Sequence, residues 1–451
     1  MIVHRARVVR TFAVAAALGA AVAGCTPGTG GSGPSAAPSA VSTDVAAAGK
    51  VTLKLTDFWG SAEGKWIDRV VADFEKKHPN VTIKRTSEDW GQLNSTLNLQ
   101  LQDDGGPDIA SANNGWQSLG TLAKGHLVLN LDAYAKAYGW DSRVPTTIAR
   151  QNKFTTDVAT MGSGSWFATP MARTSLIGLY YNADKLDKLG LQPPKTLAEL
   201  EAAAARAKAA GEVPFEYGSL DGSTSALLGV QAVLADKGKL NDYIYDSPSV
   251  KAGDVAMTQA VQTVKKWADA GYYPKNFAGI DYQTAVSKFV GGEGVFRWEY
   301  TGSLGLDATQ QKHFGYVQLP QSSGTASVGV GAAPGAMVVS AKCAHPDVAA
   351  AFLDYLMSPE AAQAAADLGL VPALSEDVSV AKDSMSLSGE SAGAAALDGD
   401  DGYVPYFDWS SPTMLDTLGQ NLQLVYAGKM TPADYTKAVD ADRDAFLAGK
   451  G

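Results

Sequence analysis

Four tryptophans in this chain stand next to side chains that hydrogen-bond in a plane. Trp59 follows Asp57, Trp116 follows Asn113 and Asn114, Trp298 precedes Glu299 and Tyr300, and Trp409 follows Asp408. An indole offers a flat apolar face, while amides and carboxylates grip paired hydroxyls. Together they suit a ligand with apolar C–H faces and a rim of hydroxyls, held in a cleft. Trp66 and Trp267 lie on helical stretches and are expected to pack in the core.

Catalytic chemistry has no comparable constellation. Gly-x-Ser-x-Gly, His-Glu-x-x-His and the phosphate-binding Gly-x-x-x-x-Gly-Lys pattern are missing. The five histidines, at 4, 78, 126, 313 and 345, form no ligand-spaced pair, so neither a metal nor a cofactor is expected. Gly329-Val330-Gly331 fails as a dinucleotide loop, because Pro334 stands where its third glycine belongs. Asp398, Asp400 and Asp401 lack the spacing of a calcium loop and are expected to form an acidic surface turn.

Composition narrows the class further. A chain of 451 residues with 45% hydrophobic and 19% charged residues has material for two lobes, each with a core. The net charge is −10, and near −13 once Arg5, Arg7 and Arg10 of the N-terminal segment are set aside, which excludes a nucleic-acid partner. Two cysteines provide no disulfide framework, and Cys343 is expected to be a buried, inert thiol. Those three arginines precede a short apolar run that ends in Val22-Ala23-Gly24-Cys25. The segment has the form of a secretory leader, residues 1–25, and its end resembles a lipobox with Cys25 as the lipidated residue. Residues 26–49, rich in Gly, Ser, Pro, Thr and Ala, are expected to form a flexible tether.

The positioning elements follow from periodicity. Val51, Leu53 and Leu55 alternate as a strand, and Ile67, Val70, Val71 and Phe74 share one helix face. His78-Pro79-Asn80 ends that helix, and Val81 and Ile83 alternate as a second strand. This strand–helix–strand unit opens a parallel α/β sheet, so the loop from Asp57 to Ser61 lies where such sheets bind ligands. Leu93, Leu97 and Leu101 predict a helix over 90–102, and Thr196 with Glu199 caps another that runs to 210.

In order along the chain come Gly105-Gly106-Pro107-Asp108-Ile109, Thr169-Pro170, the strand ending in Tyr181-Asn182, the glycine-rich 289–296, 329–340, and Ser358-Pro359-Glu360. This succession resembles the bacterial extracellular solute-binding proteins of the sugar-binding, maltodextrin-binding-like type, which feed ABC importers. The resemblance covers residues 50–451. It implies a two-lobe periplasmic-binding-protein-like fold of type II, with the ligand cleft between lobes joined by a hinge. The lobes are expected at 50–171 with 314–357, and at 172–313 with 358–451. It also implies that 314–320 is a strand returning to the first lobe and that 329–340 is a hairpin. It adds Glu63, Arg173, Tyr217, Asp221 and Tyr406 to the candidate ligand-binding residues by family position.

The implied role is capture of an extracellular sugar or oligosaccharide and its delivery to the transmembrane subunits of an ABC permease. The protein would be a monomer, lipid-anchored through Cys25 at the outer face of the cell membrane. Among these candidates Trp298 is expected to matter most, just beyond a strand at 294–296, with Tyr300 as its fallback. A rival is a lipid-anchored glycoside hydrolase with Glu299 and Asp408 as paired carboxylates. Another is a polyamine or peptide binder on the same scaffold.

Overall fold

The computed structural model describes residues 41–450, apart from 323, 325, 333, 334, 375–377 and 381–383. The leader, Cys25 and most of the expected tether lie outside the described residues. The described end of that tether packs instead of swinging. Val45 is buried in the first core, and the Asn80 side-chain amide donates to the carbonyls of Val45 at 2.9 Å and Gly49 at 2.7 Å.

The opening unit forms as its periodicity requires. Strand β1 (Val51–Asp57) leads to the helix Ser61–Lys77, which ends at His78, and then to β2 (Val81–Ser87). The two strands run parallel, in register from Val51 against Val81 to Asp57 against Ser87. Trp66, Ile67, Val70 and Phe74 bury the helix on the sheet. The helix Trp90–Gln102 buries Leu93, Leu97 and Leu101, and its N-cap Asp89 accepts from the Gly91 and Gln92 amides. Strand β3 (Ile109–Ala112) then joins the other edge of β1. A small hairpin, β4 (Lys153–Phe154) with β5 (Ser165–Trp166), closes this part of the chain.

The second sheet is built on β6 (Ser175–Asn182). Antiparallel to it run β7 (Phe296–Tyr300), β8 (Phe314–Val317) and β9 (Gly329–Ala332). The first sheet is completed by β10 (Ala336–Val339), in the order β10-β3-β1-β2, and β11 (Tyr403–Val404) pairs with β9. Trp267 is buried on the helix Met257–Asp269, stacked on Phe215 at 4.5 Å.

Three sequence expectations need correction. First, 314–317 does not return to the first lobe, because β8 pairs with β6 in the second sheet. Second, 329–340 is not a hairpin. Its strands β9 and β10 belong to different sheets, and the chain crosses between them beside Gly335, at φ +82°. Third, the helix Pro359–Asp367 packs on the first lobe, where the Ala361 carbonyl accepts the Trp66 indole N–H at 2.8 Å. The crossings expected near 314 and 358 therefore fall later in the chain.

Candidate functional site

Loops at the carboxyl ends of the first sheet face segments of the second lobe. Asn113, just past β3, is the clearest link. Its Oδ1 accepts the Trp409 indole N–H at 3.0 Å, and its Nδ2 donates to Asp408 Oδ2 at 3.3 Å. The Trp116 amide donates to the Trp409 carbonyl at 2.9 Å. Gly115 adopts φ +70°, and a Cβ there would come 2.2 Å from that of Trp409. Only glycine permits this approach. Trp409 and Asp408 lie in a short 3-10 turn, Phe407–Ser410, and Trp409 packs against Tyr406, whose ring neighbours Tyr300 at 5.9 Å. Burial pushes the Asp408 carboxyl up to about 6, with the Asn113 hydrogen bond acting against the shift.

A second group lies around Trp59, just past β1. The Arg173 guanidinium is 5.4 Å from its ring, in cation–π range. Arg173 is buried in the segment leading to β6, and its Nη1 is 2.8 Å from Glu63 Oε1 in the first turn of the helix Ser61–Lys77. Arg173 Nε has no protein partner. Tyr406 Oη donates to the Ser175 carbonyl at 3.1 Å. Trp59, Glu63, Asn113, Arg173, Tyr300, Tyr406, Asp408 and Trp409 thus line the junction of the lobes.

The other candidates are engaged by protein partners. Asp57 is buried and gripped by Arg85, whose Nε and Nη2 donate at 2.6 and 2.7 Å. Its Oδ1 also accepts the Trp59 amide, which holds the loop after β1. Asn114 donates to the Gln151 carbonyl and the Asn152 amide oxygen. Trp116 is wedged between Phe154 and Phe446, beneath Lys450 Nζ at 3.7 Å, and donates to both Asp246 oxygens at 3.1 and 3.0 Å. Tyr217 belongs to an aromatic core with Tyr273, Phe277 and Tyr426. Asp221 is exposed and accepts the Tyr282 amide.

The register around Trp298 differs from the one expected, and its buried indole N–H has no protein partner. Phe289 is buried in the last turn of the helix Tyr282–Val290, and Gly292 and Gly294 reverse the chain at φ +93° and +74°. The strand therefore begins at Phe296, and Trp298 sits in its middle. The ring lies against Gly229 of the helix Ser225–Leu234, inside the second lobe. Its neighbour Glu299 is tied to Arg297 at 2.5 and 2.8 Å and accepts the Tyr282 hydroxyl at 2.9 Å. These bonds hold Glu299 to groups of its own lobe. Tyr300, at the end of the strand, reaches the junction.

Further polar groups near the junction were not singled out from sequence. Ser111 and Thr169 both pair with Met337 of β10, and their hydroxyls have no protein partner, nor does Gln151 Oε1. Buried polar atoms of this kind are ordinarily satisfied. Single serines, threonines and glutamines carry no periodic signal that would have found them.

Elsewhere, the acidic turn is held by Lys237, whose Nζ donates to the Asp400 and Asp401 carbonyls at 3.2 and 2.7 Å. Cys343 is half-buried, and burial pushes its thiol up to about 12, which makes it a poor nucleophile. Among the described residues, no helix is long and apolar enough to cross a membrane.

Residues 59–363 match the family of bacterial extracellular solute-binding proteins. The multiple sugar-binding protein of Streptococcus mutans is 24% identical over 306 residues, 66% of this chain and 69% of that protein. A chitin oligosaccharide binding protein superposes with a TM-score of 0.74 at 20% identity, covering 89% of this chain and all of the other. SBP RafE in complex with raffinose superposes with a TM-score of 0.67 at 22% identity, over 88% of this chain and all of the other. The two structural likenesses show the fold.

Proposed function

The chain belongs to the bacterial extracellular solute-binding proteins, and from that premise we propose that it captures an extracellular sugar or oligosaccharide and hands it to the permease of an ABC importer. One observation carries the reading to this chain. Asn113, at the carboxyl end of a parallel strand, reaches across to both Asp408 and Trp409 of the other lobe. A ligand that contacts both sides favours the closed arrangement through its differential affinity, and the permease reads closure. Trp59, Tyr300, Tyr406 and Trp409 supply ring faces, while Asn113, Asp408, Arg173 and Glu63 supply hydroxyl partners. No bond of the sugar is broken. A thermal-shift screen against mono- and oligosaccharides tests this, since a ligand stabilises by RT ln(1 + [L]/Kd). At least one sugar is expected to raise the melting temperature and to be recovered intact. Silence across the panel, or hydrolysis of the sugar that binds, overturns the reading.

Anchoring is the finer part of the proposal. Its support is the basic segment, the short apolar run and Val22-Ala23-Gly24-Cys25. An acyl chain on Cys25 would hold the body at the outer face of the cell membrane, where a second lipid signal or chain makes the attachment stable. Cys25→Ser is expected to release the protein from membranes. Retention after a high-salt wash contradicts the anchor.

A further inference from the structure

Eight of the nine tryptophans are at most 4% exposed, whereas Trp90 is 37% exposed. Its position is specific. Trp90 opens the helix Trp90–Gln102, directly after the edge strand β2, at the carboxyl end of the first sheet. It is spaced i, i+3, i+7 and i+11 from the buried Leu93, Leu97 and Leu101, so it continues their apolar stripe. The three leucines are buried in the core, whereas Trp90 in the first turn is partly exposed. The tip of β2 is tied to the ligand-side loop of β1. The Glu88 amide donates to the Asp57 carbonyl at 2.8 Å, and Ser87 Oγ donates to the Trp59 carbonyl at 3.1 Å. Exposed Asp89 and Gln92 flank the indole with polar groups. The indoles of Trp59 and Trp409 are at most 2% exposed, so Trp90 is the solvent-accessible indole at this end of the sheet.

We propose that Trp90 is an outer stacking platform for a sugar ring that extends beyond the lobe junction, and hence that the ligand is an oligosaccharide longer than the junction alone can hold. The inference rests on the sugar-binding reading and names the size class of the ligand. Stacking on an open indole needs only a C–H face, which every ring of a chain presents.

The test is calorimetric titration of the full chain body with xylo-, chito- and raffinose-series sugars of one to six units. Wild type is compared with Trp90→Ala and Trp90→Phe. Affinity in wild type is expected to rise with length. Trp90→Ala loses on the order of tenfold for the longer binders and nothing for the shortest, while Trp90→Phe retains most of the gain. Iodide quenching gives an independent readout, because the accessible emission of Trp90 should be shielded by a long sugar and not by a short one. Equal losses at every length, or none at any length with wild-type binding intact, overturn the platform and leave the sugar-binding reading standing. Failure of wild type to bind any sugar overturns both.

Discussion

Trp298 and Trp409 are nearly equally buried, at 4% and 2% exposure, yet they do different things. Trp298 rests on Gly229 of a helix in its own lobe. Trp409 rests on Gly115, at the carboxyl edge of the other lobe's sheet, and gives its indole N–H to Asn113. Burial therefore does not separate an indole packed within one lobe from an indole packed across the junction. What separates them is the element on the other side of the ring. A contact within one lobe persists when the lobes part, whereas a contact across the junction is exchanged for ligand or water.

Mutation should expose that difference directly. Trp298→Ala is expected to cost about 3–5 kcal/mol of folding stability, the range for a truncated core aromatic, with affinity kept in the protein that remains folded. Chemical denaturation measures it, and a loss of affinity without loss of stability would move Trp298 into the cleft. Trp409→Ala is expected to invert the pattern, costing about 2–4 kcal/mol of ligand binding with a smaller change in the melting point of the free protein. A free protein destabilised as much as by Trp298→Ala would erase the contrast.

Gly115→Ala perturbs the junction without removing a ring. The left-handed backbone costs about 1–2 kcal/mol for alanine, and the added Cβ meets Trp409. The variant is expected to favour an opened form, with a larger radius of gyration by small-angle scattering and weaker binding. An unchanged scattering profile counts against this contact as part of closure.

The smallest effect concerns a buried group outside the junction. Glu390 accepts the Tyr180 hydroxyl at 2.5 Å, and burial pushes its carboxyl from 4.5 up to about 8. Because the folded state holds the proton more tightly, its stabilising contribution is complete below pH 4.5 and is lost as pH rises to about 8. Glu390→Gln should flatten stability against pH in that window, where one proton contributes a slope of at most about 1.4 kcal/mol per pH unit. An unchanged slope would mean that Glu390 is not the group responsible.

How much was legible in the sequence follows from the range of the forces involved. The unit spanning 50–85 and the helix Trp90–Gln102 are encoded by local periodicity and by stops such as His78-Pro79, so their bounds were readable. The register of Trp298 depended on whether Gly292 and Gly294 lie in a strand or reverse the chain, and both are compatible with glycine. The split of β9 and β10 between two sheets turns on which partner each strand meets, a long-range outcome that no local pattern carries. The same holds for Trp116, whose partners Asp246, Phe446 and Lys450 lie more than a hundred residues away. Arg173 and Glu63 were reached through family resemblance, and the structure pairs them.

The central claim is capture of an intact sugar between two closing lobes. Small-angle scattering of the protein at saturation with a sugar identified by thermal shift, set beside the free protein and followed by recovery of the sugar, tests it most directly. The account predicts a smaller radius of gyration in the bound state and a sugar returned unchanged. A profile that stays the same at saturation in a free protein shown to be open, or a sugar returned cleaved, would contradict it.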